Sequence, residues 1–278
     1  MHRFPTPSEM TAWAQAQRRA GLRIGLVPTM GYLHAGHLSL VEEAKRQADV
    51  VVASIFVNPT QFAPHEDFAT YPRDEQRDLA RCQAAGVAAV FLPTPETLYA
   101  PDASVFVDEG ILQRGLCGAA RPGHFRGVCT VVAKLFNIVL PDVAVFGQKD
   151  FQQAAIIRRM VRDLNFPVSI VVAPTLREPD GLAMSSRNVY LNAEERQQAL
   201  GLSRALDAVE ASVNAGVSSA ETLRHQMREI LEQHGLRVDY AEIVDADTLA
   251  CVEEVAQGHV ALIAAYCGKT RLIDNRML

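Results

Sequence analysis

Short apolar runs alternate with longer amphipathic stretches over the first two-thirds of the chain. Leu22–Val27, Asp49–Phe56, Val87–Leu92, Val143–Phe146 and Pro167–Val172 read as strands, with Val105–Val107 as a short extra one. Their near-continuous Val, Ile and Ala content predicts parallel strands buried on both faces. Residues 8–20, 37–47, 73–85, 127–140 and 151–164 repeat apolar positions at helical spacing. Gly86 and Pro141 mark two of the helix ends. Strand–helix alternation predicts a parallel sheet with right-handed crossovers. Ligands of such sheets bind beyond the carboxyl ends of the strands.

The texture changes after about residue 176. Leu176–Asn188 is polar and irregular, residues 193–214 and 219–233 read as helices, and 238–244, 260–266 and 270–274 as strands. The expected fold is therefore α/β. A Rossmann-like parallel-sheet domain spans residues 1–176, and a smaller α+β domain spans 177–278. The second is expected as a three-stranded antiparallel sheet with helices on one face.

Composition narrows the class. A chain of 278 residues with 49% hydrophobic content supports a sizeable core. The formal net charge of −5 and the lack of a long basic run disfavour non-specific nucleic-acid binding. Five widely spaced cysteines form no Cys-x-x-Cys pair, which fits reduced thiols and argues against a cysteine-ligated zinc. Residues 1–5 show no apolar signal core, and the run 50–57 is too short to span a bilayer. The expectation is a soluble cytoplasmic protein with no membrane association.

The densest chemistry is Pro28-Thr29-Met30-Gly31-Tyr32-Leu33-His34-Ala35-Gly36-His37, between a predicted strand and a predicted helix. Glycines let backbone approach a ligand, and a helix N-terminus with added imidazole donors favours phosphate. The His-x-Gly-His pattern resembles the signature of nucleotidylyltransferases and class I aminoacyl-tRNA synthetases. Four further segments accompany it. Asn58-Pro59-Thr60-Gln61-Phe62 offers amides suited to a small hydroxylated acid, or simply turn geometry. Arg121-Pro122-Gly123-His124-Phe125-Arg126-Gly127 reads equally as an anion contact or as helix-entry chemistry. In Phe146-Gly147-Gln148-Lys149-Asp150-Phe151-Gln152-Gln153, Lys149 suits phosphate and Asp150 suits ribose hydroxyls. Gln153 lies on the same side one turn on; the alternative is a solvated Lys–Asp pair. Arg177–Asn188 carries Gly181, Ser185, Ser186 and Arg187, and resembles a reduced Lys-Met-Ser-Lys-Ser loop or a plain linker.

Taken in order, these motifs resemble the pantoate–β-alanine ligase (pantothenate synthetase) family nearly end to end, through Thr270-Arg271-Leu272-Ile273-Asp274-Asn275. Gln148 departs from a position where many members carry Glu. The resemblance implies ATP-dependent condensation of pantoate with β-alanine through a pantoyl adenylate, Mg²⁺ bound with ATP, a homodimer, and a C-terminal domain acting as a lid. It implies His34, His37, Lys149 and Arg187 as the catalytic set. Met30, His37, Gly147, Lys149, Asp150, Leu176, Met184, Ser185, Ser186 and Arg187 would hold ATP. Pro28, Met30, Gln61 and Gln153 would hold pantoate, and Asp78 would attend the metal through water. A nucleotidylyltransferase with another acceptor shares only the histidine motif. A non-catalytic RNA-binding relative lacks support from the acidic charge.

Overall fold

The computed structural model describes every residue except His65. A parallel sheet contains β1 (His2–Phe4), β2 (Ile24–Thr29), β3 (Val50–Ile55), β4 (Ala89–Phe91), β5 (Val143–Gly147) and β6 (Ser169–Ala173), in the order β1-β4-β3-β2-β5-β6. Its helices are α1 (Pro7–Arg19), α2 (Ala35–Gln47), α3 (Glu75–Ala84), the short α4 (Pro95–Leu98) and α5 (Leu116–Ala120), α6 (His124–Val139) and α7 (Phe151–Asp163). The α/β fold expected from the sequence is thus present. The strand β1 goes unread in the sequence because three residues before Pro5 carry no legible period.

Both sheet faces are covered, as the apolar strands require. On one face Ile24, Leu26 and Phe91 pack with Met10, Phe125, Phe136 and Ile156 from α1, α6 and α7. On the other, Val27, Val51 and Val145 pack with Val41 of α2 and Leu79 of α3. Full burial of each such side chain contributes about 1.5–3 kcal/mol.

The predicted strand at Val105–Val107 is corrected. Residues 103–109 run without a strand partner. The Val107 N–H instead donates to Thr130 Oγ1 on α6 at 3.0 Å, and Val105 is 84% exposed. A β-rich composition marks extended backbone here, while a helix side chain takes the place of a ladder.

The rest of the chain forms α8 (Ala193–Asn214), α9 (Ala220–Gln233), β7 (Arg237–Asp245), β8 (His259–Cys267) and β9 (Thr270–Met277). The three strands form an antiparallel sheet in sequence order. Leu202 and Leu206 of α8 and Leu223 and Met227 of α9 pack on Ile243 and Ile263 to make a separate core. Asn192 opens α8 with a capping box, donating and accepting with Glu195 at 2.9 Å each way. Among the described residues no helix is long and apolar enough to cross a membrane.

The strand order reverses between β2 and β5. Chain leaving β2 and chain leaving β5 therefore diverge at one edge and leave a crevice. The histidine motif follows β2 and Gly147–Asp150 ends and follows β5.

Candidate active site

The turn after β2 is clamped from α3. Gly31 has φ of +82° and Tyr32 has φ of +48°, so the chain reverses through the left-handed region. Asp78, 1% exposed, accepts the Tyr32 N–H at 2.6 Å and the Leu33 N–H at 2.7 Å. Arg81, one turn further along α3, donates to the Leu33 carbonyl. Burial pushes the Asp78 carboxyl up, although the two amides pull it down. Asp78 is not among the residues lining the cleft. Its two oxygens hold the turn that presents the histidines.

That turn delivers two imidazoles in contact, their planes tilted by 38°. The His34 and His37 rings lie 4.0 Å apart between centroids. The His34 N–H donates to His37 Nδ1 at 3.2 Å. In a neutral ring this leaves the His37 proton on Nε2. Burial, followed by the positive charges of Lys149 and Arg81, lowers His34 to about 4. Burial, His34 and Lys149 push His37 well below the ordinary value. Both are neutral donors near neutral pH. Gly36 permits this placement, because a Cβ there would lie 2.9 Å from the His34 ring. His34 Nδ1 is buried without a partner.

One wall is built on Gln61. Its backbone carbonyl accepts from His124 Nδ1 at 2.8 Å, and its side-chain oxygen accepts from Asn58 Nδ2 at 3.2 Å. Its amide nitrogen points to Met30 Sδ at 3.1 Å. Asn58 is itself held by Tyr99 and by the Gly127 carbonyl. Arg121 donates to His124 Nε2 at 3.0 Å and pairs with Glu66 at 2.5 and 2.8 Å. A Cβ on Gly127 would come within 2.4 Å of the Thr60 carbonyl oxygen, so only glycine lets α6 sit against this turn. The Arg121–Gly127 segment thus acts as a brace for Gln61, through contacts that neither of its two sequence readings contained.

The opposite wall carries Gly147, Lys149, Asp150 and Gln153. Gln152 turns away: it is 5% exposed and binds the Cys117 N–H and the Leu112 and Gly115 carbonyls. The loop from Leu176 closes the cleft. Leu176 accepts the Met184 N–H at 3.0 Å, and Gly181 turns at φ of +95°. Ser186 Oγ donates to the Tyr32 carbonyl at 3.3 Å. Arg187 makes two 2.8 Å bonds to Asp67, so its guanidinium is paired in this conformation.

The structure therefore gathers Pro28, Met30, His34, His37, Gln61, Gly147, Lys149, Asp150, Gln153, Leu176, Met184, Ser185, Ser186 and Arg187 around one cleft of about 220 Å³. An adjoining cavity of about 940 Å³ opens toward the C-terminal sheet and shares Lys149, Asp150, Gln153, Ser185 and Arg187 with it. Asn58, read from the sequence as an amide for a small hydroxylated acid or as a turn residue, lines the cleft and holds the Gln61 side chain. Arg81 and Asn275 were missed as supports, since nothing local to them signals a partner far along the chain. Among the described residues no group of three or more His, Cys, Asp or Glu side chains gathers as a metal cage.

Comparison with known proteins supplies a second, independent line. A family model described as pantoate-beta-alanine ligase matches residues 2–277. A pantothenate synthetase of Moorella thermoacetica is 54% identical over 279 residues, covering 100% of this chain and 99% of the relative. One from Myxococcus xanthus is 52% identical over 276 residues, covering 98% and 94%. The crystal structure of pantothenate synthetase from Thermus thermophilus matches with a TM-score of 0.93 at 46% identity, covering 100% of this chain and 99% of that one. The Francisella tularensis pantoate-beta-alanine ligase, crystallised with beta-gamma ATP and beta-alanine, matches at a TM-score of 0.82 and 31% identity, covering 100% and 97%.

Proposed function

The chain belongs to the pantoate–β-alanine ligase family, and on that premise we propose that it joins pantoate to β-alanine using ATP, releasing AMP and pyrophosphate. The observation that carries the assignment of roles is the cleft itself. A neutral histidine pair at a helix start lines the same cleft as Lys149, Gln153, Gln61 and Met30.

A carboxylate resists attack by an amine. In the first step a pantoate oxygen attacks the α-phosphorus of ATP and pyrophosphate leaves, forming an acyl adenylate. In the second step the β-alanine nitrogen attacks the acyl carbon, AMP leaves, and the nitrogen loses a proton. No bond to the protein is required, so the chain contributes position and charge stabilisation.

His37, with its proton on Nε2, donates to the α-phosphate as charge builds there. The free amides at the start of α2 favour the same anion. Lys149 supplies the mobile cation, and Ser185, Ser186 and Arg187 complete the phosphate grip. Arg187 must exchange Asp67 for phosphate as it does so. Gly147 and Asp150 hold the ribose, with Leu176 and Met184 against the base. Pro28, Met30, Gln61 and Gln153 hold pantoate, and the bracing by Asn58 and His124 keeps the Gln61 amide aimed inward.

His34 is poorly matched to deprotonating β-alanine unaided. Its value of about 4 lies far below the ~10 of a primary amine. Phosphate negative charge beside it would raise it, and solvent is the competing acceptor. Mg²⁺ would come bound to ATP and be held largely by phosphate and water, supplying positive charge to the phosphates. Residues 177–278 serve as the lid, and the exposed Val105, Phe106 and Ile111 as surface that a second copy covers in a cytoplasmic homodimer.

The test is an end-point assay with ATP, Mg²⁺, pantoate and β-alanine, omitting each substrate in turn. Equal amounts of pantothenate and AMP, appearing only in the complete mixture, are expected. Nucleotide transfer to a different acceptor, without AMP release on adding an amine, would favour a nucleotidylyltransferase instead.

A further inference from the structure

Two consecutive residues of β9 reach two different loops of the cleft. Asp274 and Asn275 are each 2% exposed. Asn275 Nδ2 donates to the Gln148 carbonyl at 2.9 Å and the Lys149 carbonyl at 3.0 Å, while its Oδ1 accepts from Gln148 Nε2 at 3.2 Å. Asp274 accepts from both terminal nitrogens of Arg177 at 2.6 and 3.0 Å. Arg177 also donates to the Gly181 carbonyl at 3.1 Å, which ties down the loop leading to Ser185–Arg187. Asp274 Oδ1 further accepts the Asn275 N–H at 2.8 Å, so the two grips share one anchor.

The arrangement follows from strand geometry. Successive side chains of a strand leave on opposite faces. Adjacent residues, opposite Ile263 and Leu262 of β8, can therefore serve two loops at once. Every polar atom of the two side chains has a protein partner. The two loops come from the parallel-sheet part of the chain and from the connection after β6, whereas the anchor comes from the C-terminal sheet.

We propose that Asp274 and Asn275 are positioning residues that set Lys149 and the Ser185–Arg187 loop against each other, making the nucleotide grip depend on docking of the C-terminal sheet. What is gripped rests on the ligase reading above; the mechanical coupling does not. A misplacement of about 1 Å near the reacting atoms can cost about 100-fold in rate.

The test uses the full chain with Asn275→Asp, Asp274→Asn and the double variant. Asn275→Asp keeps the shape but removes both donors. Asp274→Asn weakens the Arg177 pair. Pantoate-dependent exchange of pyrophosphate into ATP reads the first half-reaction, and calorimetry reads ATP affinity. Each single variant is expected to lower kcat/KM for ATP by about 30-fold or more while KM for pantoate stays within about twofold. The double variant should be no worse than the poorer single, because linked residues are non-additive. Should either variant fail to fold, Arg177→Lys cuts the same link at its partly exposed partner and should show the same split. A parallel rise of both KM values, multiplicative losses, or wild-type exchange would overturn the proposal. If wild-type protein lacks exchange but loses ATP affinity in these variants, the ligase reading fails and the coupling stands.

Discussion

Mild acid should destabilise the parallel-sheet part of this protein through its buried imidazoles before most carboxylates titrate. Burial, then the nearby cations, lowers His34 to about 4, and burial with Arg121 lowers His124 to about 4. In the unfolded chain each returns to its ordinary value near 6.5. Between those limits the unfolded state binds protons that the folded state refuses, so stability falls as pH falls. Each histidine then removes about 1.5 kcal/mol between about pH 6.5 and pH 5, and about 2.5 kcal/mol by about pH 4. Two of them together remove about 3 kcal/mol by about pH 5, against a typical domain stability of about 5–15 kcal/mol. His37 is displaced in the same direction and adds to the loss. Urea unfolding at a series of pH values, followed by fluorescence of Trp13, measures this directly. Trp13 sits on the same core, 5.9 Å from the Phe4 ring. His124→Gln is the internal check. Its amide can donate to the Gln61 carbonyl and accept from Arg121, but takes up no proton. The variant should therefore lose its share of the pH slope whatever its absolute stability. A free energy flat to within about 0.5 kcal/mol from about pH 6.5 to pH 5, or an unchanged slope in His124→Gln, would refute the reasoning.

Other expectations concern the cleft. His37→Ala and Lys149→Ala each remove a preorganised donor and should lower turnover by about 100- to 1000-fold, with circular dichroism unchanged. Near-wild-type turnover in both would sink the phosphate assignment. Gln61→Ala should raise KM for pantoate and spare ATP affinity. Gly127→Ala should do likewise, since its Cβ meets the Thr60 carbonyl oxygen at 2.4 Å and Gln61 Cα at 2.8 Å. Such overpacking costs about 1–3 kcal/mol in melting experiments. Equal changes in both KM values would argue against that wall. Asp78→Asn replaces an acceptor of two backbone amides and should cost about 1–3 kcal/mol of stability while leaving the Mg²⁺ titration midpoint unmoved. A shifted midpoint would instead assign Asp78 to the metal.

Local patterns determined the α/β fold, the meander of the C-terminal strands, and the segments that meet at the crevice. They could do so because strand and helix periods, capping residues and glycine turns are written within a few neighbouring residues. Leu22–Val27 and Val143–Phe146 needed only their apolar continuity to be read as buried strands, and the motifs following them then had to emerge at the same edge. Isolated β-rich residues misled at Val105–Val107, where composition without a partner makes no strand. The supports of the cleft were decided only by tertiary packing. Asp78 meets Tyr32 across 46 positions, His124 meets Gln61 across 63, and Asn275 meets Lys149 across 126. Contacts at such separations leave no period in a single chain. They exist because buried amides and carbonyls must find partners wherever the folded backbone brings them.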